Sequence, residues 1–208
     1  MHRNVELKVL YFGTPVVLIS TRNADATANL APMSSAWWLG DQCMLGMNTG
    51  SQTTRNLLRE RECVLNLPSP DLAAAVDRLA LLTGSPAMTP HKIEKGYRYE
   101  PDKFGAARLT PRAADLVAAP LVAECPIQLE CELVSAAPFD RGSATAHTVR
   151  VLRAHADERL IVPGTQHIDP RRWDPLIMKF CEFYGGGARV RSSRLAEAWQ
   201  IPQTANTR

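Results

Sequence analysis

Residues 15–34 read PVVLISTRNADATANLAPMS. Val16 to Thr21 is a largely β-branched run opened by Pro15, and Arg22-Asn23-Ala24-Asp25 interrupts it with residues whose side chains favour a turn. A hairpin follows from this pattern, with a return strand from Thr27 to Ser34. Pro32 offers no backbone N–H, which places that return strand at a sheet edge, where no ladder bond is lost.

Cys43 to Met47 forms another short apolar strand after a loop holding Trp37, Trp38 and Gly40, so three strands precede the first helix. Ser51 to Arg61 sets Leu57 and Leu58 against Arg55, Arg59 and Glu60 at helical spacing, with Ser51 or Thr49 as the N-cap. A buried strand, Cys63 to Leu67, ends at Pro68 and Pro70, and Asp71 caps a second helix through about Leu82. Ser85 to Pro111 mixes Pro, Gly, Lys and Tyr without a period and reads as a long excursion loop. Ile127, Leu129, Cys131 and Leu133 alternate with Gln128, Glu130 and Glu132, which describes a strand with one face in the core, and His147 to Ala154 is its partner. Pro175 to Phe183 reads as helical. Strands outnumber crossover helices, so the pattern fits a mainly β, mostly antiparallel barrel in a single domain over residues 1–208, with an excursion at about 85–111 and a tail at about 188–208.

With 208 residues and 45% hydrophobic composition, the chain can bury a full core without metal or disulfides. A net charge of +3 spread among 21 acidic residues argues against nucleic acid as a partner. The five cysteines are odd in number and form no Cys-x-x-Cys pair, as expected of buried cytoplasmic thiols. Neither an export signal nor a run of 18 apolar residues is present, so no membrane association is expected. Histidines 2, 91, 147, 155 and 167 lack ligand spacing; on one strand His147 and His155 stand roughly 26 Å apart by strand rise, and no metal is expected.

Walker A, Gly-x-Ser-x-Gly, His-Glu-x-x-His and Gly-x-Gly-x-x-Gly motifs are all missing. Gly185-Gly186-Gly187 has the wrong spacing for a dinucleotide loop, follows a helical pattern instead of a strand, and reads as a tight turn rather than a phosphate loop. What remains is Asn48-Thr49-Gly50-Ser51-Gln52-Thr53-Thr54-Arg55-Asn56, a hydroxyl-rich turn that opens a helix. Free N–H groups, three hydroxyls and the Arg55 charge there suit a phosphate, although an ordinary solvated helix cap has the same spacing.

Taken in order, Thr14-Pro15-Val16-Val17-Leu18-Ile19-Ser20-Thr21, Asn29-Leu30-Ala31-Pro32-Met33-Ser34, Thr53-Thr54-Arg55-Asn56-Leu57 and Val64-Leu65-Asn66-Leu67-Pro68 resemble the flavin reductase-like, FMN-binding split-barrel family. Asp102-Lys103-Phe104 with Leu109-Thr110, the strand Ile127 to Val134, and the stretch Gly164 to Leu176 extend the resemblance over roughly residues 10–187. It implies a six-stranded antiparallel Greek-key barrel, a homodimer, and FMN in a groove near the subunit interface. Carried over by position, Asn29, Leu30, Ala31, Pro32, Met33, Ser34 and Ser35 would line the isoalloxazine ring, largely through backbone groups. Asn48, Thr49, Gly50, Ser51, Gln52, Thr53, Thr54, Arg55 and Asn56 would hold the ribityl chain and phosphate. Two features depart from the family pattern: Asp41-Gln42 stands where a proline pair is common, and the preceding loop carries Trp37-Trp38, which suit a flavin stack and a core or interface anchor equally.

The implied activity is hydride transfer from NADH or NADPH to flavin N5, chemistry that needs no side-chain nucleophile. Arg189, Arg191 and Arg194 would be either readers of the nucleotide phosphates or a solvated tail. The alternatives are a flavoredoxin-like electron-transfer protein with tightly held FMN, passing electrons to a protein or to free flavin, and a non-catalytic FMN-binding protein.

Overall fold

The computed structural model describes residues 1–188 and 190. A short β1 (Phe12–Pro15) leads into β2 (Val17–Arg22), which pairs with β3 (Ala28–Met33) from Arg22↔Ala28 to Val17↔Met33. The turn between them closes as its residues suggest, with Asp25 Oδ1 accepting from the Thr27 N–H at 3.1 Å and from the Thr27 hydroxyl at 2.6 Å. Trp37 and Trp38 lie not in a loop but in β4 (Ala36–Leu39), which pairs with β5 (Gln42–Asn48). Five strands, not three, therefore precede α1 (Gln52–Glu60), because two short pairings carried no alternation long enough to read.

After β6 (Glu62–Leu67) the expected second helix is shorter than its pattern. Asp71 lies within a 3-10 turn, Pro70–Leu72, instead of capping the helix, and α2 (Ala73–Leu79) stops early because β7 (Leu82–Thr83) pairs parallel with β8 (Arg98–Tyr99). The excursion also contains α3 (Pro90–Glu94) and α4 (Lys103–Ala107). Short β9 (Pro111–Arg112) and β10 (Leu121–Val122) pair with each other. Two long strands follow, β11 (Ile127–Phe139) and β12 (Ala144–Ala156). The helix expected over Pro175 to Phe183 is instead the hairpin β13 (Ile177–Lys179) and β14 (Glu182–Tyr184), turned by Phe180 and Cys181 at φ 49 and 69; β13 is claimed by β1, a tertiary pairing that overrides local pattern.

The main sheet has the order β3-β2-β6-β11-β12-β5-β4 and is antiparallel throughout. Val17 and Ile19 of β2 pack in one cluster with Ala36 of β4, Leu45 of β5 and Val149 of β12, so the sheet curls around a shared interior. Its end strands β3 and β4 do not pair, and the result is a split barrel, mainly β with helices. The seventh strand beyond the expected six is the short β4.

Because side chains alternate along a strand, β2 buries its other face too: Leu18, with Val16 just before the strand, packs with Val76 and Leu79 of α2 and with Phe104 and Ala107 of α4. The outward face of β6 and β11 is likewise covered. A strap spanning residues 114–125 lies over Val64, with Val117, Ala119 and Leu121 packed beneath it. Gln128 and Glu130, which alternation assigns to solvent, are 5% and 0% exposed under this strap. Glu130, Asp115 and His155 bring their polar atoms within 4.8 Å of one another, but Glu130 accepts three backbone N–H groups and Asp115 pairs with Arg153 at 2.7 Å.

The glycine run after β14 has no regular structure. Gly186 takes φ 71 and donates its N–H to Asp174 at 2.6 Å, while a Cβ on Gly185 would overlap the Pro70 ring. A rigid pyrrolidine cannot swing aside as a long side chain can. Gly185→Ala is therefore expected to cost about 1–3 kcal/mol, the usual range for overpacking, which in a chain of this size lowers Tm by roughly 3–9 °C in calorimetry. An unchanged Tm would show that this contact does not hold the terminal hairpin.

Candidate functional site

The turn from β5 into α1 is built by its own hydroxyls. Ser51 is the N-cap: its Oγ accepts the Thr54 N–H at 3.0 Å and bonds the Thr54 hydroxyl, which also reaches Asn48 O at 2.9 Å. Asn48 Oδ1 accepts the Gly50 N–H at 3.0 Å, and Thr49 bonds Gly142 O and Thr145 across the sheet. Arg55 lies exposed along this turn, donating to Gly50 O and Gln52 Oε1 at 2.9 Å each.

One turn further along α1, a buried amide network ties the helix to the first hairpin. Asn56 Nδ2 donates to Thr21 Oγ1 at 3.0 Å and to Asn23 Oδ1 at 2.8 Å, and Gln52 Nε2 donates to Asn56 Oδ1 at 2.8 Å. Asn29 Nδ2 donates to Thr21 and Thr53, both at 3.1 Å. Of the expected residues, Asn56, Thr53 and Thr54 are thus buried and position the helix, while Ser51 and Gln52 are half-buried and Asn48, Thr49, Gly50 and Arg55 are exposed. On β3, Leu30 is in the core, Ala31, Pro32 and Met33 are half-buried, and Ser34 and Ser35 follow the strand, buried and exposed respectively. Because β3 is a sheet edge, its outer backbone groups have no strand partner.

Asn29 Oδ1 is buried without a hydrogen-bond partner. Gly84 sits against it: a Cβ at Gly84 would stand 2.5 Å from Asn29 Oδ1 and 3.3 Å from Gln52 Cγ. The excursion passing here brings cations that sequence reading did not assign to the site. Lys92 Nζ reaches Thr83 Oγ1 at 3.5 Å, and Lys103 is only 4% exposed. Burial first, then the Arg55 charge, lowers the Lys92 pKa; burial first, then the Lys92 charge, pushes Lys103 down to about 8. Among the described residues none of these three cations forms an ion pair. Three cations without an ion-pair partner there, Arg55 repelling Lys92 and Lys92 repelling Lys103, suit a polyanion. Their distance apart in sequence hid them; Asp102-Lys103-Phe104 was the one signal.

At the other end of β3 the surroundings are apolar. Ser34 lies about 16 Å from Asn29 at ordinary strand rise, beside a cavity lined by Pro32 and Met33 together with Tyr11, Val76, Met178 and Phe183. The surroundings of β3 are therefore cationic toward the Asn29 end and apolar toward the Ser34 end. The orphaned Asn29 oxygen and the Gly84 cradle fit a phosphorylated polyol. Arg189, Arg191 and Arg194 lie outside the described residues.

Residues 9–178 match the family model described as flavin reductase like domain. The chain is 37% identical over 190 residues to the uncharacterized protein YdfE of Bacillus subtilis (strain 168), covering 90% of this chain and 91% of that one. Among solved structures, flavoredoxin of Desulfovibrio vulgaris (Miyazaki F) matches with a TM-score of 0.77 at 20% identity, covering 95% of this chain and 100% of that one. Nitrilotriacetate monooxygenase component B from Bacillus cereus matches with a TM-score of 0.70 at 20% identity, covering 87% and 88%. These two likenesses bear on the fold; the family model carries the assignment, and the chain belongs to the flavin reductase-like domain family.

Proposed function

We propose that this chain is an FMN-binding NAD(P)H:flavin oxidoreductase that works as a cytoplasmic homodimer. The observation that carries the reading is the polarity of the surroundings of β3, with Arg55, Lys92 and Lys103 lacking an ion-pair partner among the described residues toward one end and an apolar cavity at the other. FMN has the same polarity, a dianionic phosphate at one end and a flat ring system at the other. A terminal phosphate monoester carries more charge per phosphorus than the internal diphosphate of FAD, which favours FMN for a three-cation seat. Bound flavin supplies the hydride-accepting N5, and the hard chemistry lies there.

The protein's own work is positioning. Arg55, Lys92 and Lys103 bind the phosphate, Asn29 Oδ1 accepts from a ribityl hydroxyl, and the free edge of β3 offers backbone groups to the ring. A second copy has a surface to occupy. Trp37, Met44, Thr148 and Ser135 form one cross-strand row over β4, β5, β12 and β11, and Trp37 and Leu39 are 56% and 76% exposed. Five free cysteines support a reducing compartment, and no described helix is long and apolar enough to cross a membrane.

The test is an absorbance titration of the purified chain with FMN, followed anaerobically by NADH and then NADPH. The expected result is a perturbed flavin spectrum that bleaches with at least one nucleotide. Flavin that binds but resists both donors would replace the reductase reading with electron transfer or storage, and an unperturbed spectrum would remove FMN from the site.

A further inference from the structure

One lysine of this chain is set apart by its surroundings. Of the five, Lys8, Lys95 and Lys179 are exposed and Lys92 is half-buried, whereas Lys103 is 4% exposed. Lys103 opens α4, where the Asp102 carboxylate is turned to the helix, accepting the Gly105 N–H at 2.9 Å. Phe104, next along, packs with Leu30 of β3, so the first turn of α4 is held against the strand that carries Asn29. Burial first, then the Lys92 charge, brings the Lys103 pKa down to about 8. Near neutral pH its unprotonated fraction is then on the order of a hundred times that of a lysine titrating at about 10.4. An uncharged amine is a nucleophile, and desolvation beside a second cation is what activates lysines toward carbonyl carbon.

The neighbours of this amine divide the labour of holding a charged carbonyl compound. Arg55 is exposed and permanently protonated, and Lys92, half-buried, feels its charge and reaches Thr83 Oγ1 at 3.5 Å. These two outer cations suit a phosphate, while the innermost amine is the one that sheds its proton. We propose that Lys103 is a covalent capture site for phosphate-bearing aldehydes, which Arg55 and Lys92 hold by the phosphate while the Lys103 amine attacks the carbonyl carbon. The inference shares the cation cluster with the functional reading but goes beyond flavin to a second class of ligand. In the step, the Nζ lone pair forms the N–C bond as the carbonyl π pair moves to oxygen. A proton passes from nitrogen to that oxygen, giving a carbinolamine. Loss of water then leaves a C=N imine, with no net transfer of electrons and no oxidant. Capture and FMN exclude each other, because both use the same cations and bound phosphate holds Lys103 protonated.

The experiment incubates the FMN-free chain with pyridoxal 5′-phosphate or glyceraldehyde 3-phosphate, reduces the imine with borohydride and maps the adduct by peptide mass spectrometry. Label at Lys103 is expected to exceed that at each of the other four lysines at least tenfold, although three of those are exposed. Pyridoxal and glyceraldehyde, which lack the phosphate, should label Lys103 at least tenfold less. The double variant Arg55→Ala, Lys92→Ala should bring the phosphorylated aldehydes down to that level, with Lys103 still present to react. Excess inorganic phosphate, or FMN, should suppress the label at least tenfold. Reaction of both phosphorylated aldehydes supports the class as stated; reaction of one supports it and narrows it to aromatic or aliphatic members. Label distributed by exposure, or labelling of Lys103 indifferent to the phosphate, overturns the proposal. So does bound FMN that leaves Lys103 reactive. A chain that takes up no FMN but is labelled at Lys103 sinks the functional reading alone, and one that binds FMN but is not labelled there sinks this proposal alone.

Discussion

Lys103→Met is expected to lower FMN affinity roughly a hundredfold, about 2.7 kcal/mol, while leaving the FMN-free chain as stable as wild type or more so. The side chain is 4% exposed and has no ion-pair partner among the described residues, so the folded protein bears the cost of holding a cation out of water. Only a bound dianion repays that cost, through a charge-assisted contact in a desolvated setting. Methionine keeps the length and apolar stem, so the packing of the buried stem survives. Riboflavin, which lacks the phosphate, should lose no more than about threefold in affinity if the contact is worth what a phosphate contact is worth. An equal loss for both flavins, read by fluorescence titration, would make Lys103 a structural residue instead.

The same lysine gives FMN binding a pH dependence of definite sign. Burial and the neighbouring Lys92 push its pKa down to about 8, whereas an unfolded lysine titrates near 10.4. Below about pH 8 both states hold the proton and the burial cost is present in full; between the two values the unfolded state binds more protons, so stability of the FMN-free chain rises with pH. FMN affinity runs the opposite way, falling above pH 8 because binding must then be paired with proton uptake. Lys103→Met should flatten both slopes.

Much of the barrel was legible because β2, β5, β6 and the start of β11 carry dense apolar or alternating patterns that no other element fits. The cap at Ser51 was legible for the same reason, local chemistry with local consequences. Tertiary pairing hid the rest. β13 is a strand because β1 lies beside it, and β4 is a strand because β5 does. The site divides along the same line: the turn from Asn48 to Asn56 announces itself, but half of its hydroxyls turn out to hold the helix, and the charges around Gly84 arrive from an excursion that sequence renders as featureless loop. No local rule reports that Lys103 is buried, since lysine after an N-capping aspartate is ordinarily a solvated helix residue.

Glu130 shows the same blindness with the largest expected cost. Alternation along β11 points it away from the barrel interior, yet it is fully buried because the 114–125 strap closes over it. Its carboxylate accepts the N–H groups of Asp115, Leu116 and Val117 at 3.1, 2.6 and 3.1 Å and meets His155 Nε2 at 2.6 Å. Glu62, Asn66 and Gln128 pin the same strap through Ala118, Val122 and Cys125. Burial works to raise the Glu130 pKa, but the bonds from His155 and the three amides outweigh it and hold the carboxyl below its usual range. A depressed folded value means that this stabilisation is complete above the ordinary carboxylate range and is lost as pH falls through the folded value. Glu130→Ala leaves three backbone donors, one buried and two part-buried, without their acceptor and is expected to cost about 3–5 kcal/mol in urea unfolding at pH 7, and to remove the part of the acid-side decline that Glu130 causes. Glu130→Gln keeps an acceptor oxygen and should cost about 1–2 kcal/mol. Because β2 and β6 separate β11 from β3, FMN affinity of the folded fraction should stay unchanged in either variant. A loss below about 1 kcal/mol for Glu130→Ala would mean that the strap is held by its apolar contacts on Val64 and not by the carboxylate beneath it.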